Sequence, residues 1–303
     1  EMESEYMSFS TEVKNELCSV SMSRACCTRA EAYGALLHAS VFSHKEIRLS
    51  AENAVVVRRL QALLQRAFFV DSEAESCGRK QQLIINDAPR IGRIFDALGY
   101  DRKNHITYHL NRNVLEEDCC IASFLRGAFL MAGTVAGPDK KSHLELKSTH
   151  QSLVGEETSL MLDLGLSPKQ AKRANALLLY FKDGASVEDF LTRIGAPHAA
   201  MELMQAKVEK NLRNTINRQV NCETANLVKA ADASARQIAA IQSVLEGGGE
   251  DAFPESLRET VRLRLRYPTD SLTELARRFD PPISKPGLSH RLKKIIELAE
   301  RED

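Results

Sequence analysis

The chain has 303 residues, of which 43% are hydrophobic and 27% are charged, and its formal net charge at pH 7 is zero. This length and composition are typical of a globular protein of two or three domains and argue against a disordered chain. No apolar run reaches the roughly 18 residues that a membrane-spanning helix needs, so we expect a cytoplasmic protein with no membrane contact. A balanced charge can still hide a local basic face.

The first predicted elements are a leader and a helix. Residues 1–8 are expected to form a flexible leader, and a helix begins within residues 9–17 with Ser10 as a suitable N-cap. Further helices are separated by short β-branched or apolar runs that predict strands. These strands are predicted near residues 47–49 and 83–85, with a further candidate at 70–74, and near 144–147 and 177–181.

A repeated pattern then divides this part of the chain into two copies. A Cys-Cys doublet at residues 26–27 precedes a small-residue helix containing Gly34, and the same arrangement returns at residues 119–120 and Gly127, each 93 positions later. Such a fixed spacing indicates a tandem duplication. Because two copies are too few for a solenoid, we expect a pseudo-twofold domain in which the glycine helices pack closely on the axis.

Two other landmarks agree with the duplication. Residues 48–50 correspond to 146–148 at an offset of 98, and residues 94–99 correspond to 190–195 at an offset of 96. Differences in loop length would explain the drift. We therefore predict one duplicated domain over residues 9–206, with repeats at about 9–112 and 113–206.

The seven cysteines are odd in number and have no small secreted framework around them, which favours reduced thiols. The two doublets together with Cys18 could suggest a metal site, but His and Cys at zinc-finger spacing are absent. We therefore expect these side chains to pack in the core, with metal binding or redox sensing as the alternative. No cofactor is expected.

Residues 198–245 have an almost uninterrupted helical composition, which predicts one or two long connecting helices that end at the glycines 247–249. We assign residues 207–250 as a helical linker. Its polar stretch includes Arg218, Asn221 and Asn226, which are candidates to reach DNA phosphates or bases. Hydrogen bonding on the helix surface or between domains is an equally good interpretation of these residues.

The C-terminal segment, residues 251–303, has the layout of a helix-turn-helix domain. Helices are predicted at Pro254–Tyr267, with Pro254 in the first helical position, at Ser271–Phe279 and at Leu288–Glu300. In the last two helices the apolar residues recur at helical spacing, which leaves the opposite faces for solvent or for a ligand.

Basic residues are concentrated in this segment. Between Leu257 and Lys294 there are ten basic and four acidic side chains, a local excess of +6. A basic helix whose N-terminus meets phosphate and whose first turns meet base edges is typical of DNA recognition. The candidate DNA-binding residues are Arg277, Arg278, Ser284, Lys285, Ser289, His290, Arg291, Lys293 and Lys294. The alternative is a solvated basic face on a small helical domain.

The segment Phe124–Gly133 resembles the signature helix of LAGLIDADG homing endonucleases. In those enzymes each of the two helices ends in an acidic residue that holds metal ions at the scissile phosphates. Here the corresponding positions are Ala39 and Ala132, so we predict that nuclease chemistry is absent and that the chain is not an enzyme. Asp139 and Glu46 are interpreted as solvated loop charges.

Nearly the whole chain resembles the WhiA family of bacterial regulators. The resemblance rests on the following segments: Ser8–Ser10, Val13-Lys14, Glu16-Leu17, both Cys doublets, Arg126–Leu130, Asn217-Arg218, Asn221-Cys222, Ala225–Leu227, Lys229 and Pro281–Leu292. It implies an α+β fold: a pseudo-twofold duplicated LAGLIDADG-like αββαββα domain, a helical linker, and an all-α helix-turn-helix domain similar to region 4 of sigma factors. Departures are Ser40, where glycine is usual, and Leu288-Ser289, where a β-branched residue and Asn are expected.

The resemblance also implies a function. It indicates a nucleoid-associated, sequence-specific transcriptional regulator linked to sporulation, cell division and chromosome segregation, which binds double-stranded promoter DNA. Implied protein partners are a WhiB-type iron-sulfur regulator and the transcription machinery. The alternatives are a nucleoid-associated DNA-binding or protein-interaction module and, more remotely, an active metal-dependent endonuclease that uses other acids such as Asp139.

Overall fold

The computed structural model describes residues 7–100 and 109–302, and the chain divides into two compact units, residues 1–210 and 211–303. The N-terminal unit is α+β and the C-terminal unit is all-α, which confirms the predicted fold class. Each unit has its own hydrophobic core.

The N-terminal unit contains the same order of elements twice. After α1 (Phe9–Ser19), the first copy comprises α2 (Ala25–Leu37), β1 (Val41–Phe42), β2 (Ile47–Ala51), α3 (Ala54–Phe68), β3 (Ala74–Cys77), β4 (Lys80–Ile85) and α4 (Ala88–Leu98). The second comprises α5 (Asp118–Ala132), β5 (Gly133–Val135), β6 (Leu144–Ser148), α6 (Gln151–Asp163), β7 (Lys169–Arg173), β8 (Ala176–Phe181) and α7 (Gly184–Ile194), preceded by a 3-10 turn at Arg112–Val114. Both copies therefore follow the predicted αββαββα pattern.

Each copy forms an antiparallel four-stranded sheet with the same strand order, β1-β2-β4-β3 and β5-β6-β8-β7. Ile47 lies opposite Ile85 in the first sheet, and Leu144 lies opposite Phe181 in the second. These registers relate β2 to β6 at an offset of 97. The predicted offset of 98 was therefore wrong by one residue, and a slip of one residue exchanges the two faces of a strand.

Several strands differ from the prediction. The central strands β2, β4, β6 and β8 were predicted, whereas β1, β5 and β7 were missed and β3 begins at Ala74 instead of covering residues 70–74. The missed strands are two to five residues long, and the edge strands β3 and β7 are polar and largely exposed. Polar edge strands carry no hydrophobic alternation by which to recognise them.

Helix α1 begins at Phe9 with Ser8 as its N-cap, because the Ser8 hydroxyl accepts a hydrogen bond of 3.3 Å from the Thr11 amide. Ser10, the predicted cap, lies inside the helix. Ser8 therefore belongs to α1 rather than to the predicted leader, and residues 1–6 of that leader lie outside the described residues.

The two glycine helices, α2 and α5, pack against each other at the centre of the N-terminal unit. A Cβ atom on Gly34 would lie 2.0 Å from the Phe124 carbonyl oxygen, and one on Gly127 would lie 2.0 Å from the Glu31 carbonyl oxygen. Only glycine permits this separation of the backbones. The reciprocal contact confirms the predicted close approach of the duplicated helices.

A single helix of 52 residues, α8 (Pro197–Gly248), replaces the predicted one or two connecting helices and ends at the predicted glycines. Its last turns bury Ile241 and Val244 in the core of the C-terminal unit. Because the two compact units adjoin at residues 210 and 211, the predicted linker of residues 207–250 is not a separate segment. None of the described helices is both long and apolar enough to cross a membrane.

The remaining helices are α9 (Glu255–Arg266), α10 (Leu272–Arg277) and α11 (Lys285–Glu302). Pro254 is the N-cap of α9, not its first helical residue as predicted, and α10 is shorter than expected because Ser271 caps it and it ends at Arg277. Helix α11 begins three residues earlier than predicted. The Ser284 hydroxyl accepts from the Gly287 amide at 3.2 Å, and a proline is tolerated within a first helical turn.

Candidate nucleic-acid interface

The apolar faces of α10 and α11 hold the C-terminal unit together. The buried side chains that meet in this core include Leu257, Val261, Leu275, Ala276, Phe279, Leu288, Leu292, Ile295 and Ala299. The inward residues predicted for the last helix, with Ile296 half-buried, are therefore those that pack. Since one face of α11 is fixed in this way, its opposite face is fixed as well.

That opposite face carries most of the candidate residues. Ser289, His290, Lys293 and Lys294 are exposed, and Arg291 is half-buried beside them. The Arg291 guanidinium carbon lies 5.4 Å from the centre of the Phe279 ring, so the guanidinium group rests beside the turn that follows α10. Lys293 lies 3.7 Å from Glu297 on the same helix.

The N-terminus of α11 adds a second feature to this face. Ser284 and Lys285 are exposed at its first turn, next to backbone amides that have no partner within the helix. A helix N-terminus with a nearby lysine favours an anion such as a DNA phosphate. The arrangement can therefore hold a phosphate at one end and present polar side chains to base edges along the next turns.

Arg277 and Arg278 end α10 but have different surroundings. Arg278 is held in place, because its Nε lies 2.5 Å from Asp270 Oδ2 and its guanidinium carbon lies 3.7 Å from the centre of the Tyr267 ring. Arg277 is exposed, and no ion pair is found for it among the described residues. Arg278 thus fixes the turn between α9 and α10, and Arg277 is the better placed of the two for a ligand.

Two of the four arginines of α9 are neutralised by ion pairs. Arg258 pairs with Asp251 and Glu255, and Arg262 pairs with Glu250. Arg264 is buried, and its burial lowers the pKa of its guanidinium. The excess of positive charge found in the sequence therefore lies on α10, on α11 and at exposed Arg266 in the last turn of α9.

The other three candidates lie on α8 and not on this face of α11. Arg218, Asn221 and Asn226 are all exposed in its middle section. Because each residue turns the helix by about 100°, Arg218 and Asn221 share a face, whereas Asn226 lies about 140° around from Asn221. These residues do not form a single surface, and Asn226 contacts the Cys222 sulfur at 3.8 Å.

The axial helices carry no pair of acids at the positions that bind metal in homing endonucleases. Ala39 and Ala132 are half-buried, Asp139 is exposed in a turn, and Glu46 forms an ion pair with Arg48. Among the residues that the structure describes, the one group of three or more close metal-donor side chains consists of Cys26, Cys27 and Cys120, at the opposite ends of these helices.

A buried polar pair distinguishes the two copies. His38 Nε2 lies 3.3 Å from Glu157 Oε1, and both side chains are at most 2% exposed. The duplication places Met131 at the position equivalent to His38 and Leu60 at the position equivalent to Glu157. Both of these side chains are apolar. His38 lines a cleft of about 320 Å³ between the end of α2 and the loop that follows β6. No local sequence pattern reveals this pair, because its members are distant in the chain.

Burial determines the charge state of the pair. It raises the pKa of the Glu157 carboxyl to about 8, with a smaller contribution from neighbouring Glu156, and it lowers the pKa of His38 to about 4. His38 Nδ1 lies 3.1 Å from the Gly34 carbonyl oxygen and donates to it in the neutral ring. Within the described part of the chain, Nε2 and the two Glu157 carboxyl oxygens make no hydrogen bond despite this proximity, and both groups are neutral at pH 7.

This protonation predicts a loss of stability at alkaline pH. A carboxyl whose pKa is raised by folding stabilises the folded state. This contribution is complete below pH 4.5, the ordinary pKa of a glutamate carboxyl, and is lost as the pH rises through about 8. We expect the free energy of unfolding to fall by about 1 to 2 kcal/mol between pH 6 and pH 9, since the lowered pKa of His38 gives an opposite and smaller contribution near pH 6. Denaturant titrations at several pH values measure it.

Glu157→Gln, which keeps a donor and cannot ionise, should remove this part of the alkaline loss. Glu202→Gln, a change at an exposed carboxylate of α8, serves as the control and should leave the pH dependence as it is in the parent. An unchanged pH dependence in Glu157→Gln would show that the carboxyl of Glu157 is already ionised at pH 6.

Two family models match the chain. The model described as the WhiA LAGLIDADG-like domain matches residues 121–213, and the model described as the WhiA C-terminal HTH domain matches residues 216–299. The first match covers most of the second copy of the duplication and the beginning of α8. The second covers the rest of α8 and the three helices of the C-terminal unit.

Full-length proteins are also similar to this chain. A Ruminiclostridium cellulolyticum protein named probable cell division protein WhiA is 37% identical over 308 residues, which are 97% of this chain and 98% of that protein. A protein of the same name from Alkaliphilus metalliredigens is 36% identical over 313 residues, 98% of each chain. The solved structure “full-length DUF199/WhiA from Thermatoga maritima” has a TM-score of 0.61 and 24% identity, covering 97% of this chain and 99% of that one, and shares the fold.

Proposed function

The chain belongs to the WhiA family, and on this basis we propose that it is a sequence-specific DNA-binding transcriptional regulator that acts through its C-terminal helix-turn-helix unit. The observation that carries the proposal is the exposed polar and basic face of α11. Its helix N-terminus and Lys285 suit a phosphate, and Ser289, His290 and Arg291 suit base edges in the major groove.

The contacts divide the proposed DNA-binding residues into four groups. Residues whose side chains are free to meet DNA are Arg277, Lys285, Ser289, His290 and Lys294. Ser284, Arg291 and Lys293 have one neighbour each and can still reach a ligand, while Arg278 positions the preceding turn. Arg218, Asn221 and Asn226 are proposed as accessory phosphate contacts from α8.

Substitution on α11 tests the proposal. We expect Arg291→Ala to weaken binding to operator DNA by about 1 to 3 kcal/mol and Lys294→Ala to reduce the salt dependence of binding by about one counterion. Fluorescence anisotropy with labelled promoter fragments, found by genome-wide binding of the full chain, measures both effects. Arg193→Ala, in an exposed ion pair on α7, is the control and should bind as the parent does.

Operator affinity that is unchanged in Arg291→Ala, with the fold intact by circular dichroism, would remove α11 as the reading element. The second candidate function, a nucleoid-associated module with little sequence preference, predicts that bulk DNA competes as well as the operator at physiological salt. The two readings thus differ in the competition experiment.

We further propose that the chain does not cleave DNA. Its support is the chemistry of Ala39 and Ala132, whose methyl groups cannot bind the metal ions that a LAGLIDADG nuclease requires. Nicking of the operator that depends on Mg²⁺ and disappears in Asp139→Asn would overturn this and support the endonuclease alternative.

The cellular setting is proposed from the family. The named relatives are described as probable cell division proteins, and we propose that this chain has a role in cell division, sporulation and chromosome segregation from a position on the nucleoid. A WhiB-type iron-sulfur regulator and the transcription machinery are its proposed protein partners. In this scheme the duplicated N-terminal unit supplies protein or accessory DNA contacts, and the C-terminal unit reads the operator.

A further inference from the structure

Two Cys-Cys doublets, at opposite halves of the duplication, come together in the folded chain. Cys26 and Cys27 are the second and third residues of α2, and Cys119 and Cys120 are the second and third residues of α5. Because these helices pack on each other along their length, their first turns are neighbours. Two cysteine doublets that are 93 positions apart in sequence thus form one cluster of four, which we call the axial cysteine cluster.

The sulfur atoms of the cluster are close to the spacing that a metal ion imposes. The Sγ atoms of Cys26, Cys27 and Cys120 all lie within 4.8 Å of one another, and those of Cys26 and Cys27 are 4.0 Å apart. A tetrahedral zinc ion with bonds of about 2.3 Å to sulfur holds its thiolates about 3.8 Å apart. Cys119 is not one of these three but lies beside them, because its side chain hydrogen-bonds with that of Cys27, and it offers a fourth thiol.

Two positive features lie beside the cluster. The N-caps of α2 and α5, Arg24 and Glu117, make no side-chain capping bond, so the first-turn amides of both helices retain their positive dipole ends. Arg24 Nη1 lies 3.2 Å from Cys119 Sγ.

The four thiols of the cluster differ in exposure. Within the cluster, Cys120 is buried while Cys26 is exposed and Cys27 and Cys119 are half-buried, so an ion can reach the site from solvent.

We propose that the axial cysteine cluster binds one thiophilic divalent ion, Zn²⁺, through Cys26, Cys27 and Cys120, with Cys119 as the fourth ligand. The thiol protons pass to solvent as the four Zn–S bonds form, and no electron is transferred. Arg24 and the two helix N-termini balance the negative charge of the thiolates. The ion links the two copies at the end of the axis opposite to the positions that bind metal in homing endonucleases.

Metal binding by the full-length chain tests the proposal. The reduced protein, stripped with a chelator under anaerobic conditions, should bind one Zn²⁺ per chain in competition with a chromophoric chelator, and its Tm should rise. Co²⁺ in place of Zn²⁺ should give an intense thiolate-to-cobalt charge-transfer band. Cys26→Ser/Cys120→Ser should lose the band and weaken Zn²⁺ binding by more than about 100-fold, the upper loss seen when a ligand's support is removed.

The chain provides a matched control. Cys77→Ser/Cys222→Ser changes two exposed cysteines outside the cluster and should bind Zn²⁺ like the parent. A measurement on the unmodified chain covers the case in which the cluster variant fails to fold: Zn²⁺ should protect the four cluster thiols from alkylation, as seen by mass spectrometry, and leave Cys77 and Cys222 reactive.

Three results would overturn the proposal. These are equal Zn²⁺ affinity in parent and cluster variant, a cobalt spectrum without a thiolate band, and equal alkylation of cluster and control thiols with or without Zn²⁺. If mild oxidation instead joins Cys27 to Cys119 or Cys26 to Cys120 in a chain whose reduced form binds no Zn²⁺, the cluster is a redox pair and not a metal site. Operator binding is scored separately, so neither outcome decides the proposed function.

Discussion

Gly127→Ala should destabilise the N-terminal unit by more than about 3 kcal/mol, beyond the ordinary cost of overpacking a core. The added methyl group would lie 2.0 Å from the Glu31 carbonyl oxygen and 2.9 Å from the Ala35 amide nitrogen. Both obstacles are backbone atoms of α2, which cannot rotate away as a side chain can. The helices must therefore separate, and the sheets and helices packed around them lose contact.

Guanidinium chloride denaturation followed by circular dichroism measures this loss. Gly155→Ala is the matched control, because Gly155 also lies within a helix but has no atom within 4 Å of an added Cβ. It should be neutral or stabilise the fold by up to about 1 kcal/mol, the difference in helix propensity between the residues. Equal stability of Gly127→Ala and the parent would mean that α2 and α5 are not in backbone contact at this position.

The repeated segments are the parts of the fold that the sequence predicts best. The two Cys doublets and the glycines 93 positions apart identify α2 and α5 as partners without any contact information. The central strands are also predictable from the sequence, because buried residues such as Leu83 and Leu179 make them apolar. The edge strands β3 and β7 are fixed by hydrogen bonds to a neighbour and not by their own composition, so no local pattern reveals them.

The candidate DNA-binding residues are likewise predictable only where a local sequence pattern exists. Helical periodicity alone separates the inward Leu288 and Leu292 from the outward His290 and Lys294. Local sequence does not show which basic residues are withdrawn from the surface. Arg264 is one example, because the fold buries it against the turn that carries Asp270. Partners on distant elements are equally hidden: no zinc-finger spacing appears around the axial cysteine cluster, since the fold brings its halves together.

A buried charge network joins the two copies beneath this cluster. Glu31 on α2 pairs with Arg59 of the same copy, at 2.5 Å from Nε to Oε1, and with Arg126 on α5, at 2.9 Å from Nε to Oε2. All three side chains are buried. Arg126 also donates to the Ile194 carbonyl oxygen, and Arg59 donates to the Cys18 and Val20 carbonyl oxygens, so the guanidinium groups hold several chain segments in place.

Glu31→Gln should therefore cost about 3 to 5 kcal/mol, because it leaves two buried guanidinium groups without a counter-charge. Desolvation of those cations, and not the loss of one hydrogen bond, dominates the penalty. Asp189→Asn is the control: it breaks an ion pair with Arg193 whose side chains are 46% and 40% exposed, and should cost less than about 0.5 kcal/mol. Denaturant midpoints of the three proteins give both values.

The double variant Glu31→Gln/Arg126→Gln separates charge from shape. If uncompensated charge causes the loss, removing one of the two cations should make the double variant more stable than the sum of the single losses, by at least about 1 kcal/mol. Strict additivity would show instead that Glu31 acts only through packing. Because the network crosses the axis between the copies, non-additivity would also mean that one copy stabilises the other by charge as well as by close helix packing.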